Sequence, residues 1–149
     1  MRAFHTICIS LVIFVLIGLV RLRPVSSQLS LLYNLIPLAA VTGEDISLAR
    51  DINNSGQVAG RSGHLTGSNT RAVLWSLAGK QSIGTLPNGD SSIAFGVNNL
   101  GQVVGTSNTA TATRAFLWTS TSGIRDLGTL PQDSCSEAFA INNDRKSVV

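Results

Sequence analysis

The chain has 149 residues, a formal net charge of +3, 13% charged and 5% aromatic residues, and 14 glycines. That length suits one ordinary domain, and low charge with abundant Gly, Ser, Thr and Asn favours short strands and tight turns over helices. Arg2, Arg21 and Arg23 carry the whole charge excess: without them eight basic residues face eight acidic ones, and so neutral a body excludes the basic footprint of a nucleic-acid binder.

Taken from the N-terminus, "TICISLVIFVLIGLV" at 6–20 is an uncharged apolar run preceded by Arg2. It has the length of a secretory core segment and falls short of the roughly 20 residues that span a bilayer. "PVSSQ" follows, and Val25 and Ser27 fit cleavage near Ser27 or Gln28. Arg21 and Arg23 oppose that reading, because positive charge there resists translocation. Residues 1–27 therefore read as an apolar helix that is a signal peptide. The alternatives are an uncleaved anchor attaching the chain to a membrane through residues 6–20, and a buried core helix. The expected address is secreted or extracytoplasmic, or membrane-anchored if the helix stays. Cys8 lacks a lipoprotein context. Cys135 is then the remaining thiol, which leaves a missing partner, an intermolecular bond or simple burial open.

Beyond residue 32 the chain repeats itself. Asn53 returns as Asn98 and Asn142, at spacings of 45 and 44, and Trp75 returns as Trp118 at 43. "IGTLP" at 83–87 matches "LGTLP" at 127–131, and "TRAVLWS" at 70–76 matches "TRAFLWT" at 113–119. This divides the body into repeat 1 (32–86), repeat 2 (87–130) and partial repeat 3 (131–149). The positions defining the repeat are Asn53, Gly56, Gly60, Trp75, Asn98, Gly101, Gly105, Trp118 and Asn142.

Four strands are predicted per unit, clearest in "SIAFGVN", "GQVVGTS", "TRAFLWT" and "GIRDLGTL". Asn98-Asn99-Leu100-Gly101 supplies the first hairpin turn, with both Asn and Gly suited to positive φ. "NTATA" at 108–112 is a polar loop, "STSG" at 120–123 a second hairpin, and Asn88-Gly89 a strong turn signal. Alternation puts Ile93, Phe95 and Val97 on one face and Ala94 and Gly96 on the other. In the first copy Leu48 and Ile52 hold the large face while Arg50 and Asp51 intrude, so that copy should be more exposed. Two-helix repeats of this length fail on composition, since no apolar 3.6-residue period persists. The expectation is an all-β fold of four-stranded antiparallel units of about 44 residues in an incomplete β-propeller-like array. A β-sandwich or β-solenoid is the alternative.

"INNSGQVAG", "VNNLGQVVG", "RAVLW", "RAFLW" and "DLGTLP" resemble the repeats of the HAF family of extracellular repeat proteins, over roughly residues 32–149. The resemblance implies an exported repeat protein with a propeller-like fold and no defined biochemical role. The third copy, "AFAINNDRKSVV", departs from it by losing Gly-Gln. Two and a half units fall short of the roughly four blades that close a ring. A fragment of a longer chain is expected, with assembly from several copies as the alternative.

Motifs that could carry chemistry read better as structure. Asp51-Ile52-Asn53-Asn54-Ser55-Gly56 resembles the opening of a calcium loop, but Ser62 stands where the bidentate Glu belongs, and the second copy has Gly96 and Leu100 at ligand positions. A hairpin turn is expected. Asn53-Asn54-Ser55 is also a glycosylation sequon in a turn too tight for access. Trp75 and Trp118 should fill the gap between units rather than line a channel. Arg71 and Arg114 should make edge salt bridges or be solvated rather than form a cation ring. His64 is expected on a surface loop, and Glu44, Asp45, Asp90, Asp126, Asp133 and Glu137 form no recurring pair for acid–base work. No nucleophile elbow is present. The expected function is an exported non-catalytic scaffold for an extracellular protein or glycan, with no cofactor, metal or nucleic acid and with self-association through open blade edges. The competing readings are a fragment of a secreted propeller hydrolase or lyase, its catalytic residues in absent blades, and a non-functional remnant.

Overall fold

Two glycines set the hairpin turns that start each sheet. The computed structural model describes residues 36–149 except Ser68, Arg145, Lys146 and Val149, so the expectations for residues 1–27 lie outside the described residues. Gly56 N donates to Asn53 O and Gly101 N to Asn98 O, both at 3.0 Å. Gly56 and Gly101 then adopt φ of 71° and 72°, a region that glycine enters at little cost. The adjacent asparagines do not share it, contrary to expectation: among the described non-glycine residues only Asn69, Asn88 and Gln132 have positive φ. Glycine alone turns the chain, which leaves the asparagine side chains for other work.

From these turns run two meanders. β1 (Ile46–Ile52), β2 (Val58–Gly63), β3 (Arg71–Ser76) and β4 (Gly79–Gly84) form one antiparallel sheet in chain order. β5 (Ser92–Val97), β6 (Val103–Asn108), β7 (Thr113–Thr119) and β8 (Gly123–Gly128) form a second, and β9 (Ala140–Ile141) pairs with β10 (Ser147–Val148). Among the described residues there is no helix, and the fold is all-β.

The two sheets match down to their irregularities. Register slips at Arg50, between Ala49 and Asp51, and at Phe95, between Ala94 and Gly96; a second slip falls at Ile83 and at Leu127. The slip at Phe95 corrects the faces expected for β5. An extra residue reverses the alternation, so Val97 joins Ala94 in the buried core while Ile93 and Phe95 are half-buried. The same bulge presses backbone against backbone. A Cβ on Gly60 would lie 2.0 Å from Leu48 O, and one on Gly105 would lie 2.0 Å from Ile93 O. Only glycine fits there.

The core lies between the sheets. Ala59, Ala72 and Leu74 of the first sheet pack with Val103, Phe116 and Trp118 of the second, together with Leu86, Ala94 and Val97. The far face of the second sheet, with Val104, Ala115 and Leu117, meets Ala138 and Ile141. Ala59 and Val104, Ala72 and Ala115, and Leu74 and Leu117 hold equivalent register positions. Each sheet thus offers the same face to the next copy along the chain.

On the near face of the first sheet the segment before β1 covers β2 and β3 and leaves β1 exposed. Trp75 Nε1 donates to Ala39 O (2.9 Å), and Val41 N donates to Ser62 Oγ (2.8 Å). Leu86 N donates to Ser107 Oγ at 2.9 Å in the same way. Residues 39–41 therefore stand where 84–86 stand in the next junction. As expected, the first copy is the more exposed: Leu48, Ala49 and Arg50 are exposed in β1, whereas β5 has no exposed residue.

A serine fastens each junction. Ser92 Oγ donates to Gly84 O (2.6 Å) and accepts from Ala72 N (2.8 Å). Ser136 Oγ donates to Gly128 O (2.5 Å) and accepts from Ala115 N (3.0 Å). Ser92 is buried, so Ser92→Ala orphans two polar groups and should lower the unfolding free energy by about 1–3 kcal/mol. Ser122→Ala, at the exposed tip between β7 and β8, should change it by less than about 0.5 kcal/mol. Urea denaturation of both variants checks this, and equal small losses would remove the fastening role.

Candidate functional site

The residues that recur most strictly meet along one line from β1 to β9. Asn53 Oδ1 accepts from Ser55 N (3.0 Å) and Gln57 N (2.9 Å). Asn98 Oδ1 accepts from Leu100 N and Gln102 N, both at 3.0 Å. Each amide also donates to a glutamine of its own turn, Asn53 Nδ2 to Gln57 Oε1 at 2.7 Å and Asn98 Nδ2 to Gln102 Oε1 at 2.8 Å. The second amide proton crosses to the next copy: Asn53 Nδ2 donates to Asn98 O (2.8 Å), and Asn98 Nδ2 to Asn142 O (3.1 Å). The second asparagines continue the pattern, with Asn54 N on Asn99 Oδ1 (2.9 Å) and Asn99 N on Asn143 Oδ1 (3.0 Å).

Only asparagine suits this position. It carries two acceptor sites and two donors on one short planar group, whereas ionised aspartate has no donor. Asn53 and Asn98 are 9% and 3% exposed, and a buried amide is stable only when its bonds are made. The sequon asparagine is thus fully engaged within the fold. The side-chain oxygens of Asp51 and Asn53 in the calcium-like segment are aimed at main-chain amides. Asp51 Oδ1 accepts from Ile52 N and Oδ2 from Val97 N, each at 2.9 Å. That segment is a hairpin turn bonded to the next sheet.

A second column runs beside the first. The Arg50 guanidinium lies 5.8 Å from the Phe95 ring centroid. Phe95 and Phe139 stack with centroids 5.3 Å apart and planes 28° apart. Residues 50, 95 and 139 keep the spacings of the asparagines. Sequence reading passes over them because arginine and phenylalanine look unrelated, yet their shared spacing was the available signal. Gln57 and Gln102 recur at the same spacing, and their role comes only from their bonds to Asn53 and Asn98.

The remaining candidates scatter. Trp75 and Trp118 are 5% and 4% exposed and fill core, as expected. Arg71 is exposed at the start of β3, while Arg114 Nη1 donates to Thr129 Oγ1 (3.1 Å). Of the two fates expected, edge salt bridge or solvation, Arg71 fits solvation, and among the described residues neither arginine pairs with a carboxylate; their register partners are Ser62 and Ser107. His64 Nδ1 lies 3.1 Å from Asp45 Oδ2, on the expected surface loop. Cys135 is free and exposed, which removes simple burial as its explanation. Among the described residues no three His, Cys, Asp or Glu side chains cluster, and no helix is long and apolar enough to cross a membrane. No protein-family model, no curated protein and no solved structure matches the chain.

Proposed function

We propose that this chain is an exported, non-catalytic repeat scaffold of the HAF type, whose propeller-like units present a surface to an extracellular protein or glycan. The observation that carries the reading is the asparagine ladder. Asn53 and Asn98 close their own turns and send one amide proton each to the next copy, while Ser92 and Ser136 bond back to the preceding one. Side chains engaged in this way hold a frame and are unfit to turn over a substrate. Recognition then falls to positions that differ between copies, above all those between Gly63 and Thr70 and between Asn108 and Thr113, whose sequences are unlike.

Two measurements test this. Residues 1–27 fused to a reporter active only outside the cytoplasm should give signal, and an inactive fusion would refute export. The full chain, presented to arrays of polysaccharides and cell-surface proteins, should bind a member saturably and lose that binding when the sequences 64–69 and 109–112 are exchanged. Cleavage of an array member by the chain would favour the hydrolase or lyase reading.

A further inference from the structure

We infer that the start of the first sheet is a docking face for a second copy of this chain, joined head to tail through the contacts that join one repeat to the next. The inference rests on the repeat-stack reading proposed above. Its basis is that identical motif positions have opposite fates in the first and the second sheet. Ala94 is fully buried whereas Ala49 is exposed, and Val97 is 5% exposed whereas Ile52 is 65%. Asn99 Oδ1 and Asn143 Oδ1 each accept a backbone N–H from the preceding repeat, but among the described residues nothing donates to Asn54 Oδ1. Asn98 O takes the Asn53 amide as well as its own turn bond, while Asn53 O holds only the turn bond from Gly56 N.

This head is therefore an apolar strand face with two acceptors and a cation, Arg50, that has a ring on one side only. The tail is its complement. Asn143 is exposed, and its N–H holds the position from which Asn54 and Asn99 donate forward. Phe139, 56% exposed, stacks on Phe95 and turns its other flank outward in the same column. Continuing both columns by one step puts the Arg50 guanidinium of one copy on the Phe139 ring of another, a favourable pairing of cation and π face. It also puts the Asn143 main-chain N–H on Asn54 Oδ1, the step that follows Asn54 N on Asn99 Oδ1 and Asn99 N on Asn143 Oδ1. Head and tail differ, so the contact is heterologous, and it runs on or closes into a ring according to the rotation per copy.

The experiment uses full-length chain carrying Cys8→Ser and Cys135→Ser. One preparation adds Asn54→Cys and a second, distinguishable by a size tag, adds Asn143→Cys. A third carries Asn54→Cys with Asn99→Cys in one chain as the internal reference. Under mild oxidation the mixed preparations should form the 54–143 disulfide between copies, and the reference should form its bond within one chain. Ile52→Asp in the first preparation should cut the intermolecular yield at least about tenfold, because it places an unpaired charge in the contact. Leu77→Asp, on an 88% exposed turn residue, should leave it unchanged. The unsubstituted chain should sediment as more than a monomer, and Ile52→Asp should return it to one. A monomeric chain with an intact internal reference overturns the docking face alone, as does a preferred 54–54 disulfide, the mark of a two-fold contact. Failure of the internal reference overturns the stacking itself.

Discussion

Phe116→Ala is expected to lower the unfolding free energy by about 3–5 kcal/mol, the range for truncating a fully buried phenylalanine. The ring is 0% exposed and sits where the two sheets meet, among Ala59, Ala72, Leu74 and Trp118. Three of its neighbours on the facing sheets are alanine or a short aliphatic chain, so little can collapse into the space left. Residues bonded across from it in the sheet are held by the ladder and cannot follow. Against the roughly 5–15 kcal/mol that stabilises an ordinary domain, this is a large fraction. Urea unfolding followed by tryptophan fluorescence measures it directly, because Trp118 lies in the same cluster. Val73→Ala, at the matching position of the first sheet, should cost clearly less, since fewer methylenes are removed. A loss below about 1 kcal/mol for Phe116→Ala would mean the sheets do not meet at this ring.

Asn98→Ala should cost on the order of 3 kcal/mol, because each buried polar group left without a partner costs about 1–3 kcal/mol. The substitution strands Leu100 N, Gln102 N and Gln102 Oε1 and removes one bond from Asn142 O, and part of that loss is returned by water near the exposed turn. Asn98→Asp separates the two roles of the side chain. It keeps the acceptor that closes the turn, but sets a carboxylate oxygen against two other acceptors, Gln102 Oε1 and Asn142 O. At neutral pH it should therefore be no more stable than the alanine variant. Asn54→Ala is the matched control. It removes a side chain that is exposed and accepts nothing among the described residues, and should shift stability by less than about 0.5 kcal/mol. Equal effects at positions 54 and 98 would show that the ladder contributes nothing to stability.

Much of the fold is legible in the chain because the signals are local. Gly56 and Gly101 mark turns through their own φ, and alternating short strands mark themselves. Trp75 and Trp118 declare a core by size and recurrence. The bulge at Phe95 is not legible, because it arises from how Gly105 lets a neighbouring backbone approach, and no residue in "SIAFGVN" signals an extra position. Nor is the column of residues 50, 95 and 139, whose members share a spacing and not a chemistry. Read locally, the twinned asparagines are turn formers. Their larger role needs an acceptor 44 or 45 residues away, and no local reading can supply one.

"IGTLP" and "LGTLP" mark the boundary between the two kinds of knowledge. The amino-acid order alone determined that these stretches are copies, that each ends a strand, and that the body is a series of like β units. It could not decide that Leu86 is 3% exposed and Leu130 73%. Leu86 N finds Ser107 Oγ of the next sheet (2.9 Å), and Leu130 has no equivalent partner among the described residues. Burial depends on what lies against a side chain. Two identical pentapeptide endings therefore part company only when the chain has folded and one of them meets a neighbour.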